Sequence, residues 1–129
     1  MVERELNDGV RIAQLLSSEL TGREAGAFDR VEVTNVVDTA DLEPTEFGER
    51  AYDVSFDGEQ VGSVFVHPDR AHLELRDTVA LDAARERASE EDLRVRPKAV
   101  EPPRLLVFVE NGVEVKRVID VLAAALEER

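Results

Sequence analysis

Residues 51–66 read AYDVSFDGEQVGSVFV, and no other stretch limits the fold as much. Tyr52, Val54 and Phe56 alternate with smaller or polar neighbours, Asp57-Gly58 follows, and Val61 to Val66 form an apolar return. Alternation with period two places successive side chains on opposite sides of a strand. Asp-Gly supplies two residues that tolerate positive φ, as the tightest hairpin turns require. A chain holding such a hairpin must contain antiparallel sheet. That sheet needs further strands, because an isolated hairpin is marginal in water.

The further strands are legible. FDRVEVTNVV alternates at Val31 and Val33, then becomes apolar at Val36 and Val37. AHLEL after the HPDR turn predicts a short strand, LRVRPKAV (93–100) has period two, and RLLVFV (104–109) predicts a buried strand ended by ENG. Three helices complete the order. The first spans Asn7 to Gly22, with Asn7 or Asp8 as its cap and Val10, Ala13, Leu16 and Leu20 as its stripe, widened by Ile12 and Leu15. The second, DTVALDAARERASEED, has Asp77 or Thr78 as candidate cap and an alanine face suited to shallow packing. The third runs from Val113 to Arg129 with Val115, Val118, Ile119, Leu122, Ala125 and Leu126 on one side. The order α-β-β-β-(β)-α-β-β-α predicts one α+β domain over 1–129. Its helices should cover one face of a mostly antiparallel sheet of five to six strands.

Composition narrows the chemistry. The 129 residues carry 29 acids and 16 bases, a formal charge of −13, and Lys98 and Lys116 are the only lysines. So anionic a surface repels nucleic acid and anionic membranes, and neither is expected as a partner. Salt relieves the repulsion, since the Debye length falls from about 10 Å at 0.1 M to about 3 Å at 1 M. The absence of cysteine excludes disulfides, thiolate metal sites and cysteine nucleophiles. Apolar runs such as LLVFV and VLAAAL fall far short of the ~20 residues of a membrane span. MVERELNDG lacks the basic start of a secretory signal. The reading is a soluble cytoplasmic protein with no cofactor. Its core is aliphatic, with Phe28, Phe47, Tyr52, Phe56, Phe65 and Phe108 as the large pieces.

The excess of acids over lysines resembles that of proteins from salt-accumulating halophilic archaea. The stretches DGVRIAQLLSSEL, VHPDRA and RVRPKAVEPPRLLVFVENG are similar to a group of short acidic haloarchaeal proteins of unassigned function, a resemblance that implies a small stand-alone domain and supplies no activity. The element order is similar to that of type III secretion chaperones, which are small, acidic and dimeric.

RVRPKAVEPPR is the cationic exception in this acidic chain. On a strand from Leu93 to Val100, Arg94, Arg96 and Lys98 project from one side and Leu93, Val95 and Ala99 from the other. Pro97 marks an edge strand or a bulge, and cations with proline protect an exposed edge from pairing. The alternative is a binding site for an acidic protein partner or a small anion, joined by Arg104, Lys116 and Arg117, with backbone N–H groups near Gly112 assisting. His67 and His72 can converge with Asp69 across the HPDR turn, as weak metal candidates or as a general base beside Arg70. Asp38, Asp41, Glu43, Glu46 and Glu49 form an acidic loop without EF-hand spacing, best read as solvated. No phosphate-binding loop motif is present. The first expectation is a non-enzymatic interaction module acting as a homodimer. Its candidate surfaces are the face of the last helix (Val115, Ile119, Leu122, Leu126) and, for a heterologous acidic partner, the RVRPK edge. The second is an enzyme or anion binder built on His67, Asp69, Arg70 and His72 or on the Arg94–Arg117 cations.

Overall fold

The structure is a computed structural model and describes residues 8–22 and 30–128. Its elements run α1 (Gly9–Gly22), β1 (Val31–Thr34), β2 (Glu49–Phe56), β3 (Glu59–Val66), β4 (Ala71–Arg76), α2 (Leu81–Glu90), β5 (Val95–Lys98), β6 (Arg104–Val109) and α3 (Gly112–Glu127), with a 3-10 turn at Thr39–Asp41. The six strands form one sheet in the order β1-β2-β3-β4-β6-β5, and every neighbouring pair is antiparallel. The α+β class and the element order are those read from the sequence.

The β2–β3 hairpin turns at Asp57 and Gly58, whose φ values of 56° and 86° are both in the left-handed region. Register then sorts the sheet into two faces. Tyr52, Val54, Val64, Val66, Leu73, Leu75, Leu105, Val107 and Val109 project to one side and join a single apolar cluster. All three helices bury their apolar sides in that cluster: Ile12, Leu16 and Leu20 from α1, Ala84 and Ala88 from α2, and Val115, Val118, Ile119, Leu122 and Leu126 from α3. Among the described residues, the other face of the sheet carries no helix.

Several expectations change. The α3 side proposed as a dimer surface is spent in the chain's own core, with Val115, Ile119, Leu122 and Leu126 all buried. β1 stops at Thr34, because Asn35 takes a left-handed φ of 50°, so Val36 and Val37 lie outside it. β5 spans four residues, and Ala99 and Val100 fall past its end. The cap of α2 is Ala80 and has no side-chain bond. Neither Asp77 nor Thr78 caps it; the Thr78 hydroxyl donates instead to Gln60 O at 3.1 Å. Asp8 caps α1 through Oδ1, which accepts from the Val10 and Arg11 N–H groups, while Asn7 and Phe28 lie outside the described residues. Of the other aromatics, only Tyr52 and Phe56 pack in the core. Phe65 and Phe108 lie on the opposite face, and Phe47 is 84% exposed.

Tyr52 ties the two layers together. Its buried hydroxyl donates to Ala13 O on α1 at 2.7 Å, and burial pushes its pKa far up. Tyr52→Phe leaves the Ala13 carbonyl without this donor, so an unfolding free energy lower by about 1–2 kcal/mol is expected in urea titration. An unchanged midpoint would show that the bond contributes nothing net.

Candidate functional site

The helix-free face is built from the alternate residues of the same strands. β4 shows the parity: Ala71, Leu73 and Leu75 enter the core, while His72, Glu74 and Arg76 point away. Across the strands, Arg50, Phe65, His72 and Phe108 fall in one row. Arg94 O accepts the Phe108 N–H, and the Arg94 guanidinium lies 5.4 Å from the Phe108 ring centroid, which adds Arg94 to that row. A second row holds Asp53, Ser63, Glu74, Leu106 and Arg96. A third sets Arg76, Arg104 and Lys98 directly opposite one another.

Three adjacent cations repel, and opposed like charges destabilise a sheet. Glu74 relieves this. Only 6% exposed, it accepts from Arg104 at 2.7 Å and meets Lys98 at 3.6 Å. Asp53 plays a similar part on β2, held by Ser63 (2.7 Å), Asn35 (2.8 Å) and Arg50 (3.4 Å). Burial alone would raise its pKa. The hydrogen bonds from Ser63 and Asn35 and the charges of Arg50 and Arg76 outweigh burial and hold the carboxyl below the usual range.

The cations expected from the sequence divide between two places. Arg94, Arg96, Lys98 and Arg104 share the helix-free face. Lys116 and Arg117 sit on α3, on the other side of the sheet, where Lys116 meets Glu19 on α1 at 3.4 Å and Arg117 donates to Glu91 O at 3.3 Å. Arg94 pairs with Glu110. Arg96 is exposed and has no ion pair among the described residues. The N-terminus of α3 is closed by its own side chains: Asn111 Oδ1 accepts the Glu114 N–H, and Glu114 Oε1 accepts the Glu110 N–H. A small anion there would meet the negative Glu114 carboxylate, and the Glu114 N–H is already held by Asn111.

β5 lies at the sheet border. Because Arg94 O faces β6, the backbone groups of Arg96 and Lys98 also face β6, and those of Val95 and Pro97 face outward. Pro97 has no N–H, so the border lacks a donor where a further strand would need one.

The two histidines do converge, on the helix-free face at the end of the β3–β4 hairpin. His67 Nε2 and His72 Nδ1 are 2.8 Å apart, and His67 Nδ1 is 3.1 Å from Glu46 O. A carbonyl only accepts, so His67 carries its proton on Nδ1. In the neutral pair His72 Nδ1–H therefore donates to His67 Nε2, which leaves the lone pair on His72 Nε2. Phe65 stacks on His72 with centroids 4.9 Å apart, and Phe108 tilts against it at 5.5 Å. Gly48 closes the top, with φ of 95° and no room for a side chain: a Cβ there would lie 3.2 Å from both imidazoles. Burial, then the His67 dipole and charge, pushes the His72 pKa down to about 4, and burial with Arg70 lowers that of His67. Asp69 is exposed and bonds Arg70 at 2.9 Å rather than either ring. Among the described residues no three His, Cys, Asp or Glu side chains gather to hold a metal. The nitrogens that face each other are used on one another. The pair acts as a neutral strut that fixes the 45–48 loop to the sheet.

Sequence reasoning missed Glu74, Asp53, Phe65 and Gly48. The parity of AHLELR carried the signal for the first, because an acid alternating with His72 and Arg76 on a central strand implies an open face.

Fold and site together define an α+β protein with a one-sided helix layer and a bare sheet face carrying an aromatic row and cations. The family described as "Family of unknown function (DUF7993)" matches residues 1–129, so the chain belongs to that family. No curated protein and no solved structure matches it. The likeness to secretion chaperones therefore rests on element order alone. No helix among the described residues is long and apolar enough to cross a membrane.

Proposed function

We propose that the chain is a non-enzymatic interaction module that docks an acidic protein segment on the helix-free face of its sheet. One observation carries this reading: in a chain of −13, register collects Arg76, Arg94, Arg96, Lys98 and Arg104 on the one face without helices. Glu74 and Glu110 neutralise part of this charge, while Arg96 remains unpaired among the described residues. The −13 charge fits work in concentrated salt, where long-range repulsion is screened and short-range pairs persist. The histidine pair supports the interaction reading over an enzymatic one, because its facing nitrogens are committed to holding a loop.

A fluorescein-labelled poly-glutamate peptide is the probe. By anisotropy, Arg96→Ser combined with Lys98→Ser is expected to weaken its binding roughly tenfold, and Lys116→Ser with Arg117→Ser to leave it unchanged. Equal losses in both variants would mean that the peptide senses net charge alone, and the reading would fall.

A further inference from the structure

The 38–49 loop and β5 occupy opposite corners of the same sheet end. Strand order sets β1 and β2 on one side and β5 on the other. The chain enters β2 at the end where Arg50, Phe65, His72, Phe108 and Arg94 form their row, so the loop leading into Glu49 lies at that end too. Glu46 O and Gly48 against the histidines bring the loop onto the helix-free face itself. The 39–42 part of the loop turns to the helix side, where Leu42 packs in the core beside α1, so of its acids Glu46 is the one exposed on this face, and Phe47 next to it is 84% exposed. One corner of this face is thus acidic with a bare aromatic ring. The other holds Arg96, without an ion pair among the described residues, beside the Arg94–Glu110 pair.

We propose that the acidic segment this face receives is the 38–49 loop of a second copy, in a two-fold dimer packed sheet against sheet. The proposal rests on the docking reading above and names its partner. A two-fold axis running parallel to the strands between the two sheets exchanges left and right borders and keeps the ends aligned. The loop of each copy then falls over Arg94 and Arg96 of the other, and both contacts form at once, as an isologous interface requires. The same operation lays β4 of one copy over β3 of the other, so Glu74 meets Ser63 rather than a second Glu74. The operation also lays β2 of one copy over β6 of the other, so Phe47, just ahead of β2, comes over the Phe108 end of β6. An axis perpendicular to the strands would instead set cation on cation, and charge selects against it. Facing sheets in aligned packing sit about 10 Å apart, which accommodates side chains of this size.

Sedimentation velocity of the full chain tests the dimer, and charge exchange tests its geometry. Glu46→Arg and Arg94→Glu/Arg96→Glu are each expected to weaken the dimer at least about tenfold. Mixing the two variants is expected to give a hybrid dimer in which both contacts are complementary, one reversed and one native, and joining all three substitutions in one chain to restore the dimer. A second readout is independent of charge. The chain has no cysteine, so Glu46→Cys mixed with Arg96→Cys should give a disulfide-linked pair under mild oxidation, and Glu46→Cys mixed with Lys116→Cys should not. A wild-type monomer at about 100 µM, or no rescue on charge exchange together with no crosslink, overturns the proposal. If the wild type is monomeric while poly-glutamate still binds in an Arg96-dependent way, the docking reading stands and the self-association falls.

Discussion

Gly9→Ala is expected to lower stability by about 3 kcal/mol or more, which for a chain of this size means a Tm lower by roughly 10 °C or more. Gly9 opens α1 against the turn that joins β3 to β4, with its N–H directed at Pro68 O at 3.4 Å. A Cβ at this position would lie 1.9 Å from His67 O and 2.5 Å from Arg70 O. Both obstacles are backbone, and the turn that holds them also carries the histidine pair, so neither can swing aside as a side-chain tip would. The helix must lift, and Ile12, Ala13 and Leu16 lose their seats in the core. Gly22→Ala is the control: a Cβ there meets nothing within 4 Å, and φ is not in the left-handed region. It is expected to be neutral or to stabilise by up to about 1 kcal/mol through the unfolded chain. Differential scanning calorimetry of the two variants decides the matter, and similar Tm values would contradict the close approach of α1 to the 67–70 turn.

Stability is also expected to fall as pH drops from 7 towards 4.5, ahead of general carboxylate titration. His72 is held neutral in the folded state with a pKa of about 4, against about 6.5 in the unfolded chain. A depressed histidine pKa means that the unfolded state binds more protons between these two values. The stabilisation is therefore complete above pH 6.5 and is lost as pH falls towards 4. The full difference is about 3 kcal/mol for His72, at 1.36 kcal/mol per pKa unit. The lowered pKa of His67 acts in the same direction. Arg70 and Lys98 add positive charge around the rings and Glu74 opposes them. Urea midpoints measured every half unit of pH give the slope. His72→Phe keeps a flat ring between Phe65 and Phe108 and is expected to flatten that slope between pH 7 and 5. An equally steep slope in that variant would place the titration elsewhere.

Much of the fold was legible because two periods were clean. The alternation flanking Asp57-Gly58 fixed the hairpin, and the three-four spacing from Val115 to Leu126 fixed α3. Boundaries failed where one backbone angle decided them, as at Asn35, whose left-handed φ ends β1 before Val36. Caps failed where tertiary bonds took the side chain first, as when Thr78 turned to Gln60. The candidate site was legible in part. The shared side of Arg94, Arg96 and Lys98 follows from period two alone. Whether these meet Lys116 or Arg117 depends on which face of the sheet α3 covers, which periodicity does not encode, and α3 lies on the opposite face. The meeting of His67 and His72 needed the exact hairpin register, and the roof over them needed the φ of Gly48. Neither has a local signature.

The prolyl nitrogen at the outer border of β5 has a bearing on assembly at large scale. Lateral growth of a sheet into a filament requires two receptive rims on every molecule, one to join and one to offer to the next arrival. Here one rim is short of a proton to share, so any rim-to-rim joining would stop after two molecules. Lateral growth into fibres is thereby hindered at this rim, whichever surface the protein uses for its proper associations.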